Sequence, residues 1–451
     1  MMSSPVKSQL DGVTMPLDHP PTATDNLQRL LNNRPPVTRC PWLGELRQRG
    51  LALASEQTIP TARDEEWRFT DLSALLNTQF EAVQEPLVSP NPSELTTDYL
   101  ANTIRLVFVD GHYASHLSDV SGLPNQLIVT SFSQLTPDQY PLLQNYLGKQ
   151  TGNEEVFTAL NMACLVDGAL IWLPPNAIVP CPIHLLFISS AFASPLAAYP
   201  RCLLVAQSGS QVTLVEEYKS LGAGVQFTNG VTEIWMDDQS MVTHVRVQRQ
   251  NNQAIHIGKT AVSQGQNTTY QSVSVGLGGV LGRHNVEVVQ VGEQSQTLLY
   301  GLNVSGEQQV IDTHTSITFT RPHGTSQQLQ KAIAGDRSHT IFNGKLVVPK
   351  AAQLTDASQL NRTLLVSPKA RVDTKPQLEI VADNVKCTHG ATVSQLDGEE
   401  IFYLQSRGLP IPYARQLLVD AFTTEIISHI PLPQLGASLN QAIRQRVNHP
   451  M

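Results

Sequence analysis

The stretch MVTHVRVQRQNNQAIHIGKTAVSQGQNTTYQSVSVG, residues 241–276, decides the fold class of this 451-residue chain. Apolar and polar residues alternate within three segments of it, 241–248, 254–262 and 269–276. Asn, Gln and Gly residues lie between the segments, and Asn and Gly are residues that typically form turns. A period of two predicts short β-strands whose successive side chains point to opposite faces.

The same pattern extends in both directions, from about residue 168 to about residue 386. The region shows no clear helical patterns between its strands, which argues against a doubly wound sheet. Because one sandwich needs only about 100 residues, the region predicts either two sandwiches or a solenoid of stacked coils. The open ends of a solenoid need caps, and helical segments on both sides of the region fit that need.

Helical periodicity and turn signals divide the rest of the chain. Near the N-terminus, Leu27, Leu30 and Leu31 recur at helical spacing, and Asp110-Gly111 predicts a hairpin turn between two strands. The expected organisation is a disordered tail over 1–24, an N-terminal helical domain over 25–100, a β core over 101–396 with a helical insertion near 140–163, and a C-terminal helical domain over 397–451.

Composition and charge exclude several classes of protein. The net charge is −8, from 30 basic and 38 acidic residues, and no basic run occurs, so a nucleic-acid surface is not expected. No apolar run approaches about 18 residues, so no membrane span is expected. The five cysteines form no CxxC pair, and the N-terminal residues carry no apolar signal segment, which together favour a cytoplasmic protein with free thiols.

The chain carries no convincing motif of an enzyme. The segment HIGKT, 256–260, ends like a phosphate-binding loop, but Gln253 stands where that loop needs its first glycine. Lys259 also falls in a strand pattern rather than at a turn from strand to helix. No GxSxG elbow and no recognisable pair of catalytic carboxylates occurs. We therefore expect neither ATP binding by this chain nor catalysis.

Cys387 and His389 are the side chains most suggestive of chemistry. They lie two residues apart in a strand pattern, so both project from one face. A thiolate beside an imidazole can bind a soft or borderline metal or take part in sulfur transfer. The alternative is a structural cysteine beside a hydrogen-bonded histidine, since two ligands alone do not close a metal site. His314, His323 and His339 also lie in the late β region, where they can converge or remain separate.

The C-terminal segment predicts helices with a marked apolar stripe. Asp397 and Glu400 form a start signal of the capping-box type, and Gly408 is a stop signal. The stripe that follows consists of Ala414, Leu417, Leu418, Ala421, Phe422 and Ile426. It serves either to pack the helix on its own domain or to bind a partner.

Six segments carry a resemblance to the SufB/SufD family of iron–sulfur cluster assembly proteins. In chain order they are DEEWRFTDL (64–72), LVFVDGHY (106–113), FTALNMACLVDGALI (157–171), HTSITF (314–319), GKLVVPKAAQLTDASQLNRTLLVSPKARVDTKPQLEI (344–380) and VKCTHGATVSQLDGEEIFYLQSRGLP (385–410). The resemblance covers most of the chain from about 60 to 425. Gly390, where SufB proteins usually carry an acidic residue, and the lack of a late cysteine over 341–365 place the chain on the SufD side of the family.

The resemblance implies a mainly β fold, a right-handed parallel β-helix flanked by N-terminal and C-terminal helical domains. It implies a scaffold subunit that pairs with a SufB-like subunit and docks the SufC ATPase. No cofactor would bind stably. A transient iron–sulfur cluster would form at the SufB–SufD interface, with His389, and secondarily Cys387, at the matching positions. The candidate docking residues for the ATPase are Tyr403, Arg407, Pro410, Leu417 and Phe422.

Three alternatives remain at this point. The chain can be a SufB-like scaffold, or a homodimer that acts without SufB. A carbohydrate-active β-helix enzyme is the third alternative, but such enzymes are usually secreted and line one face with charged residues.

Overall fold

A computed structural model describes residues 23–32, 34–35, 41–83, 90–91, 95, 99–124, 126–192 and 194–448. The predicted tail over 1–24 lies almost entirely outside these residues. The helices are α1 (Ala23–Leu31), α2 (Pro41–Ser55), α3 (Ser73–Leu76), α4 (Tyr140–Tyr146), α5 (Val156–Cys164), α6 (Gly398–Ser406), α7 (Ile411–Ile427) and α8 (Pro433–Asn448). Among the described residues, none of these helices combines the length and the apolar character that crossing a bilayer requires.

Strands make up most of the chain between the flanking helices. They are β1 (Glu81–Ala82), β2 (Ile104–Val109), β3 (His112–Tyr113), β4 (Ile128–Ser131), β5 (Gly168–Leu173), β6 (Ile183–Ser189), β7 (Leu196–Ala198), β8 (Arg201–Ala206), β9 (Gln211–Ser220), β10 (Gln226–Met236), β11 (Met241–Gln248), β12 (Ala254–Gln264), β13 (Thr269–Gly276), β14 (Leu281–Gln290), β15 (Gln296–Ser305), β16 (Val310–Phe319), β17 (Thr325–Ala334), β18 (His339–Val348), β19 (Asp356–Leu365), β20 (Arg371–Ile380) and β21 (Lys386–Gln395).

Pairing of these strands produces a parallel β-helix of about eight coils. From β8 onward the chain alternates between two sheets, so each strand pairs in parallel with the second strand after it. We call the sheet that ends at β20 the first sheet and the sheet that ends at β21 the second sheet. The predicted parallel β-helix with helices on both flanks is confirmed, and two separate sandwiches are excluded. The right-handed sense of the coil and the domain boundaries remain predictions.

Helices cover part of the outer face of each sheet, and this cover explains the composition of the strands beneath them. Apolar side chains such as Phe108, Tyr270 and Phe319 fill the space between the sheets. Helices α1, α2 and α5 cover the outer face of the first sheet, and α7 and α8 cover that of the second. The sequence of a strand that is buried on both faces is a nearly continuous apolar run, and β6 is an example.

The two ends of the β-helix are finished differently. At the N-terminal end, antiparallel strands close the sheets: β4 pairs with β5, and β2 forms the predicted hairpin with β3 through Asp110-Gly111. At the C-terminal end, the expectation of a helical cap is wrong. The helices α7 and α8 pack on the flank of the second sheet, because their apolar faces contact the outward side chains of β11, β13, β15 and β17. The last coil therefore stays uncovered by the described helices.

A cluster of charged and aromatic side chains attaches the N-terminal region to the first sheet. The His314 ring lies between two carboxylates, with Nε2 3.0 Å from Asp312 Oδ1 and Nδ1 3.1 Å from Glu66 Oε2. Burial opposes protonation of His314, but these carboxylates outweigh it and raise the pKa of the ring. The Arg283 guanidinium stacks 3.8 Å from the centre of the Trp67 ring and also pairs with Asp312. This cluster joins the segment around Glu66 to β14 and β16.

The raised pKa of His314 predicts a pH-dependent stability. Since the folded pKa exceeds the unfolded value of 6.5, the ring's contribution is complete below that value and is lost as the pH rises through the folded pKa. We expect a loss on the order of 1–3 kcal/mol. Urea unfolding at about pH 6 and about pH 9 measures it. The variant His314→Gln should lack most of this difference, and an unchanged pH dependence in that variant would contradict the assignment.

Candidate functional site

The uncovered end of the β-helix consists of two edge strands. Among the described strands, β20 pairs only with β18, and β21 pairs only with β19. Each therefore presents unpaired backbone N–H and C=O groups along its outer side. Residues of β21 are mostly exposed, in contrast to the buried strands in the middle of the column. Free edges of this kind are templates for pairing with another chain.

Cys387 and His389 both lie on β21, on the side that faces the space between the two sheets. Cys387 is aligned with Ala357 and packs against the interior core, where it is half-buried. His389 is aligned with Gln359, and its side chain is exposed at the open end. In the described chain, no hydrogen bond engages the His389 ring. The prediction that the two side chains share one face is therefore confirmed.

The thiol of Cys387 is not activated within this chain. Burial raises its pKa, the nearby Asp356 carboxylate raises it further, and the Ala357 backbone amide only partly opposes these effects. The group is therefore a protonated thiol at neutral pH, and it must lose its proton to bind a metal or attack sulfur. A neighbouring cation or a metal ion would supply the necessary stabilisation of the thiolate.

Two donors do not make a complete metal site here. Within the described residues, no group of three or more His, Cys, Asp or Glu side chains is placed to hold a metal ion. The three late histidines do not converge: His314 pairs with Asp312 and Glu66, His339 pairs with Asp373, and His323 occupies a turn with φ of 60°. Any further ligand at Cys387 and His389 must come from outside the described part of this chain.

The structure shows the surroundings of Lys259, the lysine of the HIGKT segment. Lys259 lies in the middle of β12, on the outer face of the first sheet. Its ammonium group contacts the carboxylates of Glu155 and Glu287, each at 3.0 Å. This lysine is therefore an ion-pair partner beneath α5 and does not stand at a strand-to-helix turn.

The C-terminal helices carry an exposed apolar surface, which we call the helical patch. It consists of the exposed residues Phe402, Tyr403, Ile411, Tyr413 and Leu417 on α6 and α7. Phe402 and Tyr413 are 71% and 69% exposed, which is unusual for aromatic side chains unless a partner covers them. Tyr403 and Leu417 are among the docking residues predicted from the sequence. The other three were not predicted, because Ile411 and Tyr413 lie outside the predicted apolar stripe of α7 and Phe402 lies on α6.

The other candidate docking residues occupy varied environments. Arg407 lies over the Tyr403 ring, with its guanidinium carbon 5.3 Å from the ring centre, and Pro410 is exposed at the start of α7. Phe422 is different, because its ring is half-buried beneath the Lys331 ammonium, 4.3 Å away. The backbone carbonyl of Phe422 also accepts a hydrogen bond from Lys331. Phe422 therefore holds α7 against β17.

Several side-chain contacts attach α7, which carries part of the helical patch, and α8 to the β-helix. Lys331 on β17 forms an ion pair with Glu425 on α7, and the His429 ring stacks on Tyr300 at 3.6 Å with an angle of 8°. Helix α8 contributes Arg249–Ser438 and Arg446–Gln309 hydrogen bonds. These contacts tie the two long helices to the second sheet and to the turn before β16.

Comparisons with known proteins agree on one family. The family model described as the SUF system FeS cluster assembly SufBD core domain matches residues 187–422, and the SufBD protein N-terminal region matches residues 36–185. The chain is 42% identical over 410 residues to an iron–sulfur cluster assembly SufBD family protein of Synechocystis, covering 89% of this chain and 90% of that protein. It is 32% identical over 395 residues to SufD of Escherichia coli, covering 86% and 89%. SufD of Bacillus subtilis is 25% identical over 425 residues, covering 90% and 94%.

Proposed function

Because the chain belongs to the SufBD family of iron–sulfur cluster assembly proteins and is SufD-like, we propose that it is a non-catalytic scaffold subunit of a SufBCD complex. It would pair with a SufB-like subunit through the open end of its β-helix. It would dock the SufC ATPase through its C-terminal helices. The nascent iron–sulfur cluster is then cargo that forms transiently between the two β-helices, and the location is the cytoplasm.

The observation that carries this proposal is the position of Cys387 and His389 at an uncovered end with two free strand edges. A second β-helix placed end to end would satisfy the backbone groups of β20 and β21. The same contact would bring the partner's side chains to the two donors. An incomplete set of ligands is what a site shared between two chains requires.

The donor chemistry suits iron and sulfide. A thiolate and a neutral imidazole form the mixed sulfur and nitrogen ligation found in some iron–sulfur proteins. Since the Cys387 thiol is protonated in the isolated chain, binding of the metal would release a proton. His389 is exposed and makes no hydrogen bond with the described residues of this chain. This difference supports His389 as the principal donor and Cys387 as the secondary one.

The attachment of the C-terminal helices supports a mechanical role for the ATPase. The ion pair of Lys331 with Glu425 and the stacking of His429 on Tyr300 join the docking helices to the second sheet, which ends at β21. Movement of a docked ATPase would therefore displace the β-helix and open or close the shared site. The four described cysteines are free, in keeping with a reducing cytoplasm.

Anaerobic co-expression of the tagged chain with a SufB-like subunit and an ATPase subunit tests the proposal. We expect all three to co-purify and to hold iron and sulfide with a visible charge-transfer spectrum. Self-pairing of this chain without the SufB-like subunit would favour the homodimer. Building of clusters on this chain alone would favour the SufB-like scaffold.

Replacement of Leu417 by glutamate tests the helical patch. The side chain is exposed, so the free energy of unfolding should change by less than about 0.5 kcal/mol. A charge in the centre of an apolar interface should cost at least about 2 kcal/mol, or roughly 30-fold in affinity for the ATPase. Co-purified ATPase measures the loss. Ile178→Glu, an exposed apolar residue of the loop after β5, is the matched control and should retain the ATPase. Equal loss in both variants would reject the patch.

A further inference from the structure

A cleft of about 450 Å³ lies on the outer face of the first sheet. Residues of the segment 57–67 form one wall, the start of α5 forms another, and strands from β10 to β20 form the floor. The volume is within the range of small-molecule sites. The floor side chains Glu287 and Lys345 are 24% and 37% exposed, so solutes can reach them. The proposed function gives this cleft no role.

Three aligned side chains in the floor place opposite charges at opposite ends of the cleft. Glu287 on β14 is aligned with Ser316 on β16, and Ser316 is aligned with Lys345 on β18. Residues aligned in this way project to one face, and neighbouring strands lie about 4.8 Å apart. Two strand spacings therefore separate the acidic position from the basic position by roughly 9–10 Å, with a hydroxyl between them.

The end of the cleft near α5 carries a net negative charge. Glu155 and Glu287 share one cation, the Lys259 ammonium, which lies 3.0 Å from each carboxylate. The same ammonium donates to the Gly152 carbonyl oxygen at 3.0 Å, so its three hydrogens are all used. Burial raises the pKa of Glu287, although Lys259 opposes this shift. A ligand cation at this end would therefore stabilise the ionised carboxylate.

The end of the cleft at β18 carries a positive charge. The Lys345 ammonium is 2.7 Å from Glu379, which does not line the cleft, and this exposed ion pair leaves N–H donors of the ammonium free. The nearby Glu66 carboxylate already accepts from Asn343 Nδ2 and contacts His314 Nδ1, each at 3.1 Å. Lys345 is therefore able to receive a ligand carboxylate.

We propose that this cleft binds a short zwitterionic peptide, about three residues long, with its ammonium group at Glu287 and its carboxylate at Lys345. Three extended residues span about 10 Å, which matches the separation of the two charged positions. Ser316 lies between them and can hydrogen-bond the peptide backbone. The rings of Trp67 and Phe157 line the cleft with their centres 5.2 Å apart, and they offer apolar surface to the peptide side chains.

Binding of trialanine to the full chain, measured by isothermal titration calorimetry at neutral pH, tests the site. We expect one peptide per chain. N-acetyl-trialanine lacks the ammonium group and trialanine amide lacks the carboxylate, so each should bind about 10-fold more weakly, the factor that one charge-assisted hydrogen bond provides. Absence of trialanine binding up to about 10 mM would overturn the proposal. Equal affinity for the three peptides would overturn it as well.

Two variants test each end of the cleft separately. Lys345→Met should abolish the preference for trialanine over its amide and keep the preference over N-acetyl-trialanine. Glu287→Gln should have the reverse effect. Lys369→Met, an exposed lysine of the turn after β19, is the matched control and should keep both preferences. Each preference compares peptides on one variant, so a partial loss of folded protein does not imitate its disappearance. Unchanged preferences in Lys345→Met and Glu287→Gln would refute the assigned orientation.

Discussion

Replacement of His389 by alanine is expected to abolish cluster formation by the assembled complex while leaving the chain folded. The ring is exposed and makes no hydrogen bond in the described chain, so its removal should change the free energy of unfolding by less than about 0.5 kcal/mol. The yield of clusters should fall by roughly 100-fold or more, because even residues that only orient a metal ligand contribute 10- to 100-fold. Iron, sulfide and visible absorption of the anaerobically purified complex measure the effect.

The control for this variant is His323→Asn. His323 is also exposed, but it lies in a turn between β16 and β17 with φ of 60°, a conformation that asparagine tolerates. It should assemble clusters normally. Normal clusters in His389→Ala would refute the site assignment. Loss of the SufB-like subunit from the purified His389→Ala complex would instead show that the ring acts in pairing.

Cys387→Ser should have a smaller effect than His389→Ala. The thiol is half-buried, and its raised pKa makes it the poorer donor in the isolated chain. We expect the cluster yield to fall about 10-fold relative to the native complex. This is the lower end of the loss seen when a residue that only orients a metal ligand is replaced. A loss as complete as that of His389→Ala would show that both donors are primary ligands.

The largest loss of stability is expected from Arg201→Met. Arg201 begins β8 and is fully buried, and its guanidinium donates to Glu233 Oε1, Asn161 Oδ1 and Asn153 Oδ1. In this variant the Glu233 carboxylate stays buried but loses the guanidinium that pairs with it. Breaking a buried ion pair in this way costs about 3–5 kcal/mol. Urea unfolding followed by circular dichroism measures the change.

Two further variants show whether the unpaired charge is the cause. Arg201→Met combined with Glu233→Gln should recover roughly half of the loss, because the neutral amide can still accept from the Gly148 N–H, as Glu233 does in the native chain. Lys345→Ala removes the exposed ion pair with Glu379 and should cost no more than about 1 kcal/mol. Equal losses in Arg201→Met and Lys345→Ala would contradict the account.

Part of the candidate site was predictable because it depends on local periodicity. A strand period of two puts Cys387 and His389 on one face whatever the strand pairs with. The alignment of His389 with the buried Gln359 was not predictable, since it depends on the register of β19 with β21, and no local pattern specifies that register. The inward position of Phe422 and the exposure of Tyr413 likewise depend on which side of α7 meets β17.

The amino-acid sequence by itself determined the alternation of short strands, the hairpin at Asp110-Gly111, the flanking helices and the shared face of Cys387 and His389. These features follow from side-chain period and turn chemistry, which act over a few residues. Only the tertiary structure decided that the C-terminal helices cover a flank, that the last coil is left open, and that Arg201 finds Glu233 beneath α5. These features depend on contacts between residues far apart in the chain. The apolar face of a helix can gain free energy by covering any of several surfaces, and only the folded structure shows which surface it covers.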